Sequence, residues 1–523
     1  MPLLSIKNCF LAAVCLIATS LLPLTTATAR DLRIAYEVEP ATLDIYEQLS
    51  ESVLQLSHLS FDPLIRWTRE LGFENRLASG YQRLNPTTLR FNLRKGVRFH
   101  SGNPMTAADF KWTFERLKAS FDFKVIFDSF VELKVIDEYT IDLVTRDPYP
   151  LTLHAATYLF PMDSKFYSGT DTNGNDKSAI LKNSDSFAST NLSGTGPFRV
   201  VSRDPGVKTV FQRFEDYWDK RSAGNVDRIV FTPIKDEANR INALLAGEVD
   251  FIAPISSDFL DRIRSAGNVE LVTMPGTRII TFQMNQQRRP EFRDQRVRMA
   301  IVHAVNNEAI VQGIMQGFAT PAGQYSPEGY LGYDPRLKPR FDLKLARQLM
   351  QDAGYPEGFD VTMMAPRNRY VNDERIAAAV AEMLSKINIK VDLQTVPKAQ
   401  YWPAFDDRKA DIMMLGWRSD TGDSANFYEF LAMTPDQSTG MGSYNAGNYS
   451  SDFVDQNTVL ANSETDPDRR ARILREIESR IYQDAGFIPL HWQNLAWAAR
   501  KGVNIEPIVN ALNLPYLGDL VVD

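Results

Sequence analysis

The stretch LRKGVRFHSGNPMTAADFKWTFERL at residues 93–117 decides the fold. Apolar and polar residues alternate over residues 89–94, which predicts a half-buried strand that ends near Gly96. Thr106 and Asp109 then have the spacing of a capping box in its acidic form, which marks the start of a helix. The apolar face of that helix is formed by Phe110, Phe114 and Leu117.

The same succession of strand and helix continues through most of the chain. Helical faces are predicted behind Asp294 and Asp342, and another ends at Gly247, just before a strand. A helical face over residues 376–387 leads directly into an alternating strand over residues 389–393. This pattern is typical of an α/β protein. The 523 residues exceed what one hydrophobic core supports, so we expect two or three domains.

Residues 1–29 resemble a secretory signal peptide. An apolar run follows Lys7, and Ala27-Thr28-Ala29 predicts cleavage before Arg30. About 15 apolar residues are too few to span a bilayer, which argues against a membrane anchor. Cys15 lacks the small neighbours of a lipid-modified cysteine. Because both cysteines lie in this segment, we expect a periplasmic protein without disulfides.

Composition and motifs exclude several classes of function. The net charge of −7 is spread along the chain, so we expect neither a nucleic-acid nor a membrane-surface partner. We find no nucleophile elbow and no phosphate-binding loop, and the five histidines lack metal-ligand spacing. The calcium-like run at residues 171–176 has Ile180 where the terminal carboxylate would stand. The sequence therefore predicts no catalytic residue, no metal, no cofactor and no enzyme.

Seven stretches, taken in order, resemble the family 5 extracellular solute-binding proteins, and the resemblance covers nearly all of the chain after residue 29. The most specific is the run at residues 93–102 with residues 105–109. The others are at residues 40–44, 194–198, 217–218, 243–250, 294–300 and 411–423.

The resemblance implies a two-lobed periplasmic-binding-protein clamshell of type II, with an extra α/β domain. Lobe I would contain residues 30–59, 188–278 and 485–523. The extra domain would contain residues 60–187 and pack on lobe I, and lobe II would contain residues 279–484.

The candidate ligand site follows the apolar strand that ends near Leu415, since ligands of α/β folds bind at strand ends. In similar peptide-binding proteins, the aspartate that corresponds to Asp420 pairs with the α-ammonium of the ligand, and Trp417 walls the pocket. Thr421 and Gly422 complete this stretch. An ordinary loop carboxylate is the alternative for Asp420.

Three further residues are candidates through the resemblance. Arg369 aligns with an arginine that binds the ligand carboxylate in dipeptide-binding proteins, although Arg367 is an alternative. Trp402 matches an aromatic residue of side-chain pockets, but a core role is equally compatible with its sequence. Met414 replaces an arginine of the oligopeptide-binding proteins, which favours a shorter, dipeptide-like ligand.

The resemblance implies the substrate-binding component of an ABC importer. We expect a monomer that captures short peptides between its lobes and delivers them to a permease and ATPase complex in the inner membrane. An opine, a metal chelate or a sugar conjugate is the alternative within the same fold. A secreted hydrolase or a chaperone is the alternative from another class.

Overall fold

The computed structural model describes residues 30–182, 185–222, 224–419 and 421–523. The predicted signal peptide and Asp420 lie outside these residues. No helix within the described ranges is long and apolar enough to cross a bilayer.

The strands of the described residues follow in chain order. They are β1 Asp31–Tyr36, β2 Ile65–Trp67, β3 Phe73–Asn75, β4 Ala78–Asn85, β5 Thr88–Leu93, β6 Phe130–Asp137, β7 Thr140–Thr145, β8 Phe198–Asp204, β9 Lys208–Arg213, β10 Arg228–Pro233, β11 Phe251–Ala253, β12 Val269–Met284, β13 Ala319–Pro321, β14 Asp360–Arg367, β15 Lys390–Pro397, β16 Ile412–Trp417, β17 Ile488–Arg500, β18 Val503–Asn504 and β19 Val521–Val522.

The α-helices lie between these strands, with short 3₁₀ turns elsewhere. They are α1 Glu51–Ser60, α2 Ala107–Leu117, α3 Thr152–Ala156, α4 Ser164–Tyr167, α5 Phe187–Thr190, α6 Glu237–Ala246, α7 Leu260–Arg264, α8 Gln295–Ala304, α9 Asn307–Gly313, α10 Leu343–Asp352, α11 Asp373–Ser385, α12 Lys398–Asp406, α13 Ser424–Leu431, α14 Asp452–Ser463 and α15 Pro467–Asp484.

Helix ends follow the local chemistry of the sequence. The carboxylate of Asp109 accepts a hydrogen bond from the backbone N–H of Thr106 at 2.8 Å, which confirms the predicted start of α2. Asp294 and Asp342 are the N-caps of α8 and α10, and the side chain of each accepts from a backbone N–H of the first turn. Gly247 ends α6 with a φ of 75°, the left-handed conformation that glycine adopts without strain.

Two long antiparallel strands, β12 and β17, run through the centre of the main sheet. The strand order is β15-β14-β16-β12-β17-β11-β1-β10-β9-β8, and β13 pairs with the edge of β17. Strands of the predicted lobe I therefore lie on one side of the β12–β17 pair, and strands of the predicted lobe II lie on the other. A separate sheet, β4-β5-β7-β6, belongs to the predicted extra domain.

Apolar side chains collect into separate cores that follow this arrangement. One core packs beside β1 and β10, another lies around β14, α8 and α11, and a third packs α2 against the four-stranded sheet. Burying these side chains supplies the main driving force for folding. The chain has to pass between these cores, and it does so along β12 and along β17, which lie between the strands of the two predicted lobes. The exact limits of the lobes stay a prediction.

Candidate ligand-binding cleft

A cavity of about 360 Å³ lies where β12 and β17 cross, between the two lobes. Its volume is in the range of small-molecule sites. Lobe I contributes carboxylates together with Lys235 and Arg240, and the central strands and lobe II contribute further arginine and apolar side chains. The charged residues that line the cavity include Glu37, Glu51, Glu237, Arg240, Arg278 and Arg418.

A bend in β12 opens this cavity. The pairing of β12 with β17 shifts register between Pro275 and Ile279, so the residues between them leave the regular ladder. Gly276 sits close to β17, because a Cβ there would lie 2.6 Å from the carbonyl oxygen of Gln493. The bend brings residues 276–278 to the cavity wall.

Three arginines, Arg278, Arg369 and Arg418, converge beside the bend. Burial, together with the like charges of Arg418 and Arg369, lowers the pKa of the Arg278 guanidinium to about 10. Within the described residues, the Arg278 guanidinium has no hydrogen bond or ion pair. The Nε of Arg369 is buried without an acceptor, and its guanidinium lies 4.9 Å from the centre of the Tyr370 ring. Arg278 in the cavity wall and Arg369 beside it thus make no direct ion pair with a carboxylate of the described residues.

The third arginine bridges the two lobes. Arg418 follows β16 in lobe II, and its Nη1 lies 3.1 Å from Oε2 of Glu51 in lobe I. Glu51 stands in the first turn of α1, where the helix dipole favours a negative charge. Its other carboxylate oxygen accepts hydrogen bonds from Gln55 and Asn513. These contacts hold the Glu51 carboxylate in place at the cavity.

Comparison with known proteins decides the family. The model of the bacterial extracellular solute-binding proteins, family 5, matches residues 72–438. The chain belongs to this family. The glutathione-binding protein GsiB of Salmonella typhimurium is 24% identical over 501 residues, which cover 93% of this chain and 94% of that protein.

Solved structures show the same two-lobed fold. HbpA2 from Haemophilus parasuis superposes with a TM-score of 0.83 at 20% identity, covering 94% of this chain and 100% of that chain. The periplasmic binding protein DppA from Helicobacter pylori, in complex with the peptide STSA, superposes with a TM-score of 0.69 at 21% identity over 94% and 98% of the chains.

These findings confirm the predicted family and the α/β clamshell fold. This family 5 protein is a solute-binding component of an ABC importer and not an enzyme, as predicted from the sequence. Proteins of this family bind small ligands outside the cytoplasm and work with ABC permease and ATPase components. The cleft between the lobes is accordingly the candidate ligand site.

A second cavity of about 140 Å³ adjoins the first in this family 5 protein, and Glu51 and Arg418 border both. All three predicted domains line the second cavity. Its wall combines polar and apolar groups, and besides Glu51 and Arg418 it is formed by Leu49, Ser50, Leu54, Trp67, Tyr158, Ser419, Gly422, Leu512 and Leu514. The Glu51–Arg418 ion pair therefore stands at the junction of the two cavities.

The predicted loop after β16 reaches this second cavity through Gly422. Gly422 has a φ of 66°, and a Cβ there would lie 2.9 Å from the Trp67 ring, so glycine allows the close approach. The hydroxyl of Thr421 lies 3.2 Å from that of Ser419. Trp417 is half-buried, and its indole N–H donates to Asn426 Oδ1 at 2.9 Å. Asp420, the predicted ammonium partner, lies outside the described residues.

Arg369 and Arg367, the two predicted alternatives, have different surroundings. Arg367 is exposed, lies 3.6 Å from Glu374, and donates to the carbonyl oxygen of Thr395 at 3.2 Å. Arg369 instead belongs to the arginine cluster beside the cavity. These surroundings favour Arg369 as the residue that faces a ligand.

The two remaining candidates lie away from the cavities in this conformation. Trp402 is half-buried and packs edge-on against Tyr401 and Phe405, with ring centres 5.5 and 5.6 Å apart. The Met414 side chain is fully buried in the core of lobe II, and its carbonyl oxygen accepts from the Tyr401 hydroxyl. The structure thus does not bring Met414 or Trp402 together with the arginine cluster.

Sequence reasoning missed three residues of the cleft. Glu51 looks like an ordinary acidic residue in the first turn of a helix. Arg418 lies within the family stretch at residues 411–423, but the sequence alone assigned it no role. Arg278 stands in an apolar strand directly after Gly276-Thr277, and a charged residue in such a strand was the available signal. Their proximity depends on chain segments more than 100 residues apart, which periodicity does not reveal.

Proposed function

We propose that this protein captures a short peptide or peptide-like molecule in the cleft and delivers it from the periplasm to an ABC permease. The observation that carries the proposal is the cavity between the lobes, with Arg278 in its wall and Arg369 close to Arg278, two arginines that lack a carboxylate ion pair within the described residues. The glutathione-binding relatives and the peptide complex of a structural neighbour support a peptide ligand.

In this proposal the ligand carboxylate binds Arg369, with Arg278 beside it. A guanidinium group can bind a carboxylate through two parallel hydrogen bonds. Arg278 and Arg369 are partly buried, so the attraction between opposite charges there exceeds its value in bulk water. Asp420 would bind the ligand ammonium, as the family resemblance implies. Ligand contacts to both lobes would then stabilise a closed conformation that the permease recognises.

A carboxylate-bearing conjugate such as an opine is the second candidate. The arginine cluster favours it as much as a peptide, because guanidinium groups recognise carboxylates whether or not a peptide bond is present. Metal chelates have less support, since the described residues contain no cluster of three or more metal-ligating side chains.

The test is the thermal midpoint of the purified protein with di- and tripeptides in free, N-acetylated and C-amidated form. A ligand at 100 times its dissociation constant stabilises the protein by about 2.7 kcal/mol, which gives a clear shift. We expect free peptides to raise the midpoint, and C-amidation to weaken binding by at least about tenfold because a charged hydrogen-bonded pair is lost.

Arg369→Gln should weaken binding of free peptides and remove the effect of C-amidation. Arg367→Gln is the matched control, because it removes an equal charge two residues away at an exposed site. Asp420→Asn should remove the effect of N-acetylation in the same way. A midpoint that no peptide shifts, combined with a shift by an opine, would overturn the peptide proposal.

A further inference from the structure

The hairpin formed by β2 and β3 reaches from the predicted extra domain to lobe II. Its tip, residues 68–72, is held in one shape by local hydrogen bonds. The N–H of Thr68 donates to the carbonyl oxygen of Gly72 at 2.8 Å, and the N–H of Gly72 donates to Thr68 Oγ1 at 3.0 Å. Within this tip Leu71 has a φ of 64°, a left-handed conformation that a bulky side chain rarely adopts. Backbone strain of this kind is a reason to look for a role of the residue.

The Leu71 side chain packs against another domain. It is half-buried, and it contacts an apolar core that lobe II mainly forms and that contains Tyr330 and Phe427. Gly329 of lobe II makes room for it, because a Cβ at residue 329 would lie 2.9 Å from Cδ1 of Leu71. Gly329 has a φ of 94°, which glycine adopts without strain. A left-handed leucine of one domain thus fits against a left-handed glycine of another.

The same hairpin is attached to lobe I. Nη1 of Arg66, on β2, lies 2.7 Å from Oδ2 of Asp519, and Nη1 of Arg69, in the tip, donates to the carbonyl oxygen of Glu506. Asp519 and Glu506 belong to the C-terminal part of the predicted lobe I. The hairpin should therefore move together with lobe I, while its Leu71 side chain contacts lobe II.

We infer that the β2–β3 hairpin is a clasp, whose Leu71 docks on lobe II when the lobes approach each other and leaves it when they part. Burial of about half a leucine side chain corresponds to about a fivefold change in the balance between the docked and the parted conformations. A contact of this size favours the docked conformation but still allows the lobes to part. It includes no ligand group, so the clasp does not depend on the proposed function.

The test compares Leu71→Asn and Leu71→Asp with the native protein by small-angle X-ray scattering, without added peptide. Both residues tolerate the left-handed conformation and have the same size, so the hairpin should keep its shape. Leu71→Asn loses the apolar contact, and the ratio of docked to parted molecules should fall about fivefold. Leu71→Asp would also have to bury a carboxylate, so the ratio should fall at least about tenfold further and the radius of gyration should rise.

The matched control is Leu84→Asp. Leu84 lies on β4 in the same domain and is 43% exposed. Its replacement introduces the same charge at the surface of the extra domain, away from the tip of the hairpin. The radius of gyration should therefore stay at the native value.

An engineered disulfide supplies the reference for the docked conformation. Residues 30–523 contain no cysteine. A Cβ at residue 329 would lie 3.5 Å from the Cβ of Leu71, which is within the range of disulfides. Leu71→Cys combined with Gly329→Cys should therefore cross-link on oxidation, as a titration of free thiols would show. The oxidised protein should have the smallest radius of gyration, and reduction should return it to the native value.

Each result supports or overturns the clasp. A radius that is larger in Leu71→Asp than in the oxidised double variant, with the native value below that of Leu71→Asp, supports it. Equal radii of Leu71→Asp and the oxidised protein overturn it, because the lobes then stay together without Leu71. Equal radii of Leu71→Asp and the native protein, both above the oxidised value, also overturn it, since the native contact is then not populated.

Two further results would also overturn the clasp. One is a folded double variant that does not cross-link, because the two residues then do not meet. The other is an equal rise in radius for Leu84→Asp, because the effect is then not specific to Leu71. Unfolding midpoints show which variants are folded, and if Leu71→Asp is not, Leu71→Asn decides by the same comparisons.

Discussion

Buried arginines in the lobe cores and arginines in the cleft differ in their partners. In lobe II, Arg470 and Asp423 are almost fully buried and joined by two hydrogen bonds of 2.6 and 2.7 Å. Arg116 makes the corresponding pair of bonds to Asp44, at 3.0 and 2.5 Å. Arg278 in the cleft has no such carboxylate within the described residues.

The difference separates arginines that hold the fold from those available to a ligand. A buried charge is costly unless it is paired and hydrogen-bonded. The Arg470–Asp423 and Arg116–Asp44 pairs meet this condition within the chain, whereas Arg278 has no such partner among the described residues, which is why we propose that a ligand carboxylate binds there. The expected effects of substitution on stability and on binding should therefore differ between the two regions.

Arg470→Leu should have the largest effect on stability. It leaves the Asp423 carboxylate buried without its cation, and breaking a buried pair in this way costs about 3–5 kcal/mol. Urea unfolding of the ligand-free protein measures the change. The double variant Arg470→Leu with Asp423→Leu is the control and should recover much of the loss. A loss below about 1 kcal/mol in the single variant would remove the distinction between the two regions.

Glu478 is a buried carboxylate that no described cation pairs with, and its stability effect should depend on pH. Burial raises its pKa from 4.5 to about 7, although its carboxylate accepts from Ser326 N–H at 2.7 Å. Between these values the unfolded chain releases the proton that the folded chain keeps, so stability falls as pH rises. Above the folded value the loss is complete, and it amounts to about 3 kcal/mol.

Glu478→Gln should therefore gain about 3 kcal/mol relative to the native protein between pH 4.5 and pH 8. Unfolding free energies of both proteins across this range measure the difference. Glu429 titrates in the same direction but is present in both proteins, so its contribution cancels. If the unfolding free energies of the native protein and of Glu478→Gln change in parallel with pH, Glu478 does not cause the pH dependence.

Glu51→Gln tests the ion pair that spans the cleft and should have a small effect. The side chains of Arg418 and Glu51 are 30% and 40% exposed, so solvent screens their attraction. We expect a loss of less than about 1 kcal/mol in unfolding free energy. A loss of more than about 2 kcal/mol would contradict a solvent-screened ion pair.

Arg278→Gln should have the smallest effect on stability. It removes a repelling charge and no ion pair, so the unfolding free energy should change by less than about 0.5 kcal/mol or rise slightly. Thermal unfolding without ligand measures this. A loss comparable to that of Arg470→Leu would mean that Arg278 supports the fold, which would contradict the comparison between core and cleft.

Much of the fold was predictable because it depends on local chemistry. The caps at Asp294 and Asp342 and the left-handed Gly247 are set by interactions within a few residues. The candidate site was predictable only in part. Arg369 and Arg367 were candidates through the family resemblance, and their different surroundings, which only the folded chain shows, depend on the direction in which the chain turns after β14.

The sequence by itself determined the α/β class, the family and many helix ends, since hydrophobic periodicity, capping residues and motif order are local properties of the chain. The tertiary structure alone decided which charges meet in the cleft. Glu51, Arg278 and Arg418 come from three distant segments, and packing of β12 against β17 brings them together. Charges interact according to their distance in space and not according to their separation along the chain. Which of these charges lie close enough to interact therefore depends on how the cores pack.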